Sequence, residues 1–175
     1  QSDDYPEPHW YEMNGKVVES GNGERRCVVG YVRDIHERKM QELALEESKS
    51  LDPVTSLYRS DSGKGKIRAS RAQCPTGIVA MFDISHFSGI VRDYGMAFGD
   101  VGLEEFGKLI LERAAQAAEC RHVGVRLGSD EFLVWMPGFN ETDYIRALRG
   151  LRKDFQGIVR HNAVDLNFNA GAVVA

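Results

Sequence analysis

Three carboxylates stand where runs of strand-forming residues end or begin. Asp83 closes the apolar run "GIVAMFDI", and Asp130 and Glu131 follow the Gly128-Ser129 pair in "RLGSDEF". If these runs are neighbours in one sheet, the three acids meet at one edge. Clustered carboxylates repel each other unless one is protonated or a cation lies between them. A hard divalent ion, magnesium in particular, prefers such oxygens and keeps water and substrate phosphates as its other ligands. Metal ions on a phosphate support phosphoryl transfer by orienting the attacking oxygen and stabilising the leaving group. The segment "HFSGIV" begins directly after Asp83 and Ile84, and the free N–H groups of a helix start there would suit a phosphate. A glycine turn lets a ligand approach the backbone closely. The same residues have a plainer reading, with Asp83 a strand-end cap and the other acids solvated beside a turn. Residue types alone leave both open.

The elements that must position these acids can be read along the chain. "GIVAMFDI" predicts a buried strand. Phe87, Ile90, Val91 and Tyr94 fall at helical spacing, and Asp100 is expected to cap a longer helix carrying Leu103, Phe106, Leu109, Ile110 and Ala114 inward. "VGVRL" and "EFLVWM" predict two strands around the Gly128-Ser129 turn. "ETDYIRALRGLRKDF" predicts a helix with Tyr144, Leu148, Leu151 and Phe155 on one face, and "DLNFNAGAVV" a last strand. The order strand, helix, helix, hairpin, helix, strand predicts an α+β fold, with helices packed on a central, mainly antiparallel sheet.

The N-terminal part reads differently. Turn pairs at Asn14-Gly15 and Asn22-Gly23 and the β-branched run "RRCVVGYVRDI" predict hairpin strands. Two such strands cannot bury a core alone. "HERKMQELALEESKSL" predicts a solvated connecting helix, either single or paired with a copy of itself along Met40, Leu43 and Leu51. "SGKGKI" lacks the spacing of a phosphate loop and is expected to be a flexible basic loop.

The 175 residues are 42% hydrophobic and 27% charged, with a formal net charge of -4. This is globular composition, and it argues against a nucleic-acid binder relying on a basic face. Cys27, Cys74 and Cys120 are odd in number and far apart, so a reduced, cytoplasmic setting is expected, without disulfides or a zinc site. No apolar run is long enough to be a membrane segment.

"RLGSDEF" followed by an apolar strand resembles the signature of GGDEF domains, the diguanylate cyclase family. "DPVTSLYR", "MFDISHFSGIVRDYGMAFGD" and "NFNAGAVVA" resemble three further motifs of that family, in order and at its spacing. "GYVRDIHERK" resembles the end of a PAS domain leading into a signalling helix. The resemblance implies a C-terminal PAS fragment over 1–35, a signalling linker helix over 36–50 and a GGDEF domain of nucleotide-cyclase-like fold over 51–175. The domain would stop before the family's last helix.

The resemblance implies bacterial signalling. Two subunits, paired through the linker helix and facing GGDEF domains, would each hold GTP and Mg²⁺, two ions per site, and condense two GTP to cyclic di-GMP and pyrophosphate. Asp83, Asp130 and the Ile84 carbonyl would ligate metal, and Glu131 would act with Asp130 in catalysis. Asp100, Phe87, Gly128 and Ser129 would lie against the nucleotide. The departures bear on activity. Ser88 stands where the family has a phosphate-side Lys, and Val91 where it has a guanine-binding Asn. Ser85, Met96 and Ser129 replace a second Asp, a His and a Gly. Glu119 and His122 stand in place of the product-feedback pair of Arg and Asp. These features imply a degenerate domain that binds Mg-GTP or regulates, or else an active diguanylate cyclase tolerant of the changes. A purely structural dimerisation module is the remaining reading.

Overall fold

The computed structural model describes residues 8–19, 26–115, 121–161 and 166–175, and the chain divides into two compact units, 1–49 and 50–175. In the first, β1 (Tyr11–Glu19) and β2 (Arg26–Asp34) pair antiparallel from Tyr11↔Asp34 to Glu19↔Arg26, and both are exposed throughout. Asn14-Gly15 is not a turn, as the sequence predicts, but lies inside β1. Gly15 faces Gly30, and a Cβ on Gly30 would come within 2.1 Å of the Asn14 carbonyl oxygen. The glycines let the two backbones approach closely, and the long ladder outweighs the local turn preference. Asn22-Gly23 lies outside the described residues. Helix α1 (His36–Lys49) follows and buries no residue. The Asp34 carboxylate accepts a hydrogen bond from the His36 N–H at 2.9 Å, satisfying a donor the helix start leaves free. Leu51 is not on the α1 stripe. It lies beyond the helix, in an isolated bridge to Tyr58.

The second unit is built on β3 (Tyr58–Arg59), β4 (Gly77–Ser85), β5 (Val123–Arg126), β6 (Glu131–Pro137) and β7 (Asn167–Val174). Their order in the sheet is β3-β5-β6-β4-β7, with only β3 and β5 parallel. This is the mainly antiparallel sheet flanked by helices that the sequence predicts. Four helices belong to this unit: α2 (Ser60–Gln73), α3 (Phe87–Tyr94), α4 (Met96–Ala114) and α5 (Glu141–His161). Strand alternation sorts the sheet residues by face. Phe132, Val134 and Met136 join the core with α4 and α5, while Leu133 and Trp135 join a smaller cluster with Tyr58 and Ile67.

Phe106 of α4 is fully buried at the centre of the larger core. Its ring lies 4.8–6.0 Å, centroid to centroid, from Phe155 of α5, Phe132 of β6, Phe168 of β7 and Phe82 of β4. These tilted and edge-on arrangements suit the ring quadrupoles.

Three expectations are corrected here. "SGKGKI" is helical, within α2. Two glycines make it a poor helix on propensity alone, but tertiary contacts hold it. Ile67 joins the smaller cluster, and the Trp135 indole N–H donates to the Ser70 hydroxyl at 3.1 Å. Asp100 does not cap α4. The helix begins at Met96, one turn earlier, after Gly95 at φ 87°. Cys74 is disulfide-bonded, contrary to the expectation of unpaired cysteines, whereas Cys27 is free and exposed.

The 51–59 segment fastens the hairpin turn between β5 and β6. Asp52 accepts hydrogen bonds from the Thr55 N–H at 2.9 Å and the Thr55 hydroxyl at 2.8 Å, and pairs with Arg126 Nη1 at 2.9 Å. Arg126 also donates to the carbonyls of Gly128 (3.1 Å) and Ser129 (2.7 Å). Burial alone would raise the Asp52 pKa, but the Thr55 N–H, the Arg126 guanidinium and the Thr55 hydroxyl together hold it below its ordinary value. A depressed carboxylate stabilises the fold above its unfolded pKa, about 3.9, and that contribution is lost as pH falls through the folded value. Thermal melts should therefore show a loss of stability below about pH 4 that is smaller in Asp52→Asn. Arg126→Ala, which removes the ion-pair partner of Asp52 and the side-chain donors to two carbonyls, should cost about 2 kcal/mol in denaturant unfolding.

Candidate functional site

The predicted site residues gather where β4, β6 and β7 end together. Asp83 stands in register with Glu131 on β6 and with Asn169 on β7. The Asn169 amide donates to Asp83 Oδ1 at 3.5 Å. The three side chains fall on the sheet face opposite Phe82, Phe132 and Phe168, because neighbours along a strand alternate. Asp130 precedes β6. The Ile84 N–H donates to its carbonyl at 3.1 Å, and the Ser129 hydroxyl to its carboxylate at 2.5 Å. The Leu127 N–H donates to the Glu131 carbonyl at 2.8 Å and closes the turn.

The structure thus brings Asp83 and Glu131 side by side, but it does not gather three acids. Among the described residues no group of three or more His, Cys, Asp or Glu is placed to hold a metal ion. The expectation of three converging carboxylates is corrected to this extent. Asp130 sits in the turn, off the ladder, with its carboxylate on Ser129. Magnesium characteristically takes only one or two protein carboxylates, so the oxygen donors of Asp83, Asp130 and Ile84 fit it in hardness and number.

Helix α3 begins two residues after β4. His86, its N-cap residue, is left-handed at φ 58° and makes no side-chain cap. The first N–H groups of α3 therefore keep their capacity to bind an anion. Ser88 is exposed in this turn, while Phe87 is 7% exposed and packs into the core. Val91 is half-buried against the same core. It faces Gly99 of α4 so closely that a Cβ there would meet Val91 Cγ2 at 2.8 Å and Phe87 Cζ at 3.1 Å. An apolar contact fills this part of the α3–α4 cleft, with half-buried Asp100 the next residue along α4.

Asp52, Thr55, Arg126 and Asn169 are absent from the site residues predicted from sequence. The signal for Asp52 and Thr55 was present in "DPVTSLYR", but only the fold shows that they reach the signature turn. Of the two residues in place of the feedback pair, Glu119 lies outside the described residues. His122 is half-buried, and burial and the neighbouring Arg121 hold its pKa below the usual imidazole value.

Residues 49–175 match the family described as diguanylate cyclase, GGDEF domain. No curated protein matches the chain. Among solved structures, the diguanylate cyclase SiaD of Pseudomonas aeruginosa, in complex with its activator SiaC, superposes with a TM-score of 0.64 at 20% identity. The match covers 79% of this chain and 55% of SiaD, so this chain spans about half the length of that protein. The coiled coil and GGDEF domain of DgcB from Caulobacter crescentus, in complex with c-di-GMP, gives 0.64 at 19% identity, covering 79% of this chain and 76% of that one. The GGDEF domain of FimX from Pseudomonas aeruginosa gives 0.58 at 20% identity, covering 71% and 79%. At these identities the superpositions speak for the fold. The family match spans most of the chain and includes the turn, the acids and the cleft described above: the chain belongs to the GGDEF family of diguanylate cyclases, the domains of cyclic di-GMP signalling.

Proposed function

We propose that this chain is a regulatory GGDEF module that takes Mg-GTP weakly and with little selectivity for guanine. The observation that carries this reading is Val91, packed with Phe87 against Gly99 where the family resemblance calls for a guanine-binding Asn. An isopropyl group neither donates nor accepts a hydrogen bond. A buried base edge left without partners loses affinity, so selectivity for guanine falls to Asp100. The phosphate side keeps more. The uncapped first turn of α3 presents backbone donors, and Asp83, Asp130 and the Ile84 carbonyl would hold Mg²⁺. When bound, that ion would neutralise charge on the triphosphate. Gly128 and Ser129, held by Arg126, would form the wall against the nucleotide.

A second reading, an active diguanylate cyclase, draws on Glu131. It stands beside Asp83 in register, where a catalytic carboxylate could take a proton from an attacking ribose oxygen. Each subunit would then face its copy, with GTP in both. On either reading 1–35 is taken as the end of a PAS domain, α1 as a signalling helix that pairs with a copy of itself, and the module as cytoplasmic. No helix among the described residues is long and apolar enough to cross a membrane.

Incubation with GTP and Mg²⁺ and chromatography for cyclic di-GMP separates the two readings, since product forms only on the second. Asp83→Asn should leave the unliganded melting temperature unchanged or raise it, because it relieves repulsion with Glu131. It should also abolish stabilisation by Mg-GTP. Equal stabilisation of variant and parent would exclude the metal site. Ser88→Lys with Val91→Asn should tighten GTP more than ATP, by about tenfold, from one added charge-assisted contact and one specific hydrogen bond. If calorimetry shows no gain in GTP preference and the variant melts earlier, the cleft is simply core.

A further inference from the structure

We infer that Arg92 takes over the phosphate-side positive charge that Ser88 lacks, so that the cation of this site stands one helical turn further along α3. The inference rests on the proposed Mg-GTP site and concerns how that site holds the triphosphate. Across β4, α3, β6 and β7, the elements that meet at the site, Arg92 is the one Lys or Arg in the sequence. Arg126, at the end of β5, is committed to Asp52 and the two turn carbonyls. Among the described residues of these four elements, Arg92 is thus the side-chain cation that could offset Asp83, Asp130 and Glu131 before a triphosphate.

The geometry suits the role. Ser88 and Arg92 are four residues apart, so they share a face of α3. A helical side chain covers the turn N-terminal to its own Cα. Arg92 follows this rule: its Nη2 lies 4.0 Å from where a Cβ on Gly89 would be. The guanidinium therefore already reaches back to Gly89, the residue after Ser88, and Gly89 offers no side chain in the way. Its partner is Asp93, at 2.8 Å from Nε and 3.3 Å from Nη2. Both side chains are exposed, 77% and 54%. An exposed pair of this kind is weak, so exchanging Asp93 for a phosphate costs little. Arginine binds phosphate oxygens through two parallel N–H bonds, which a lysine cannot do.

Calorimetric titration of the full chain with Mg-GTP, Mg-ATP and GMP tests this, in parent, Arg92→Ala, Arg92→Ala with Ser88→Lys, Asp93→Asn and Asp83→Asn. Arg92→Ala should weaken both triphosphates alike, by about tenfold, leave GMP unchanged and leave the unliganded melt unchanged. Adding Ser88→Lys should restore most of the loss. Asp93→Asn, which frees the guanidinium, should tighten both triphosphates. If Arg92→Ala binds Mg-GTP as the parent does while Asp83→Asn loses it, Arg92 has no part and the nucleotide site stands. A loss in Arg92→Ala that Ser88→Lys fails to restore, or that extends equally to GMP, also overturns the inference. If the parent takes no triphosphate, the site and the role of Arg92 fall together.

Discussion

The site depends on the register of β4 between β6 and β7, and the packing of Phe106 fixes that register. Phe82, Phe132 and Phe168 come from three adjacent strands and meet one ring of α4. A slip of one residue in any strand would turn its phenylalanine to the opposite face and expose it. The next residues along the same strands are Asp83, Glu131 and Asn169. Strand alternation places them on the far side of the sheet from the aromatic cluster. One hydrophobic constraint thus aligns three polar side chains that have no strong contact of their own; the sole hydrogen bond among them is the 3.5 Å contact from Asn169 to Asp83.

The turn at 127–130 needs a different device, because it lies off the ladder. Arg126 supplies it by donating to two turn carbonyls and pairing with Asp52, which Thr55 orients in turn. A glycine-containing turn has many accessible conformations, and a planar guanidinium with fixed donors selects one of them. The opening motif "DPVTSLYR" and the signature "RLGSDEF" are therefore two halves of one structural unit, although 74 residues separate Asp52 from Arg126.

The strands and helices whose hydrophobic period is strong were legible from sequence. "GIVAMFDI" and "EFLVWM" emerged as strands and the apolar residues of α4 as its buried ones, because burial and period agree there. The failures share a cause. Asn14-Gly15 and "SGKGKI" carry local turn and loop signals that distant partners overrule: a facing strand in the first case, Val125, Ile67 and Trp135 in the second. Asp100 was assigned to a helix start because its type suits one, whereas Gly95 ends α3 and starts α4 within a single residue. In the site, the acids and the turn were legible as residue types. The Asp52–Arg126 pair and the pairing of Asn169 with Asp83 were not, since both depend on long-range topology.

The two sides of the cleft stand in different relation to the core. Val91 is part of it, so its apolar character serves packing between α3 and α4 as well as emptying that position of polar groups. Asp83 and Glu131 serve no such purpose. Like charges directly opposite on neighbouring strands are destabilising. Among the described residues neither has a cationic partner, and Asp83 has the long contact from Asn169. The fold would be at least as stable with a neutral residue in either place. A pair of acids that packing does not require, beside an uncapped helix start, is what a site for a cation and an anion together demands. The acids of the proposed nucleotide site are thus residues the fold could do without, whereas Val91 is one the fold uses.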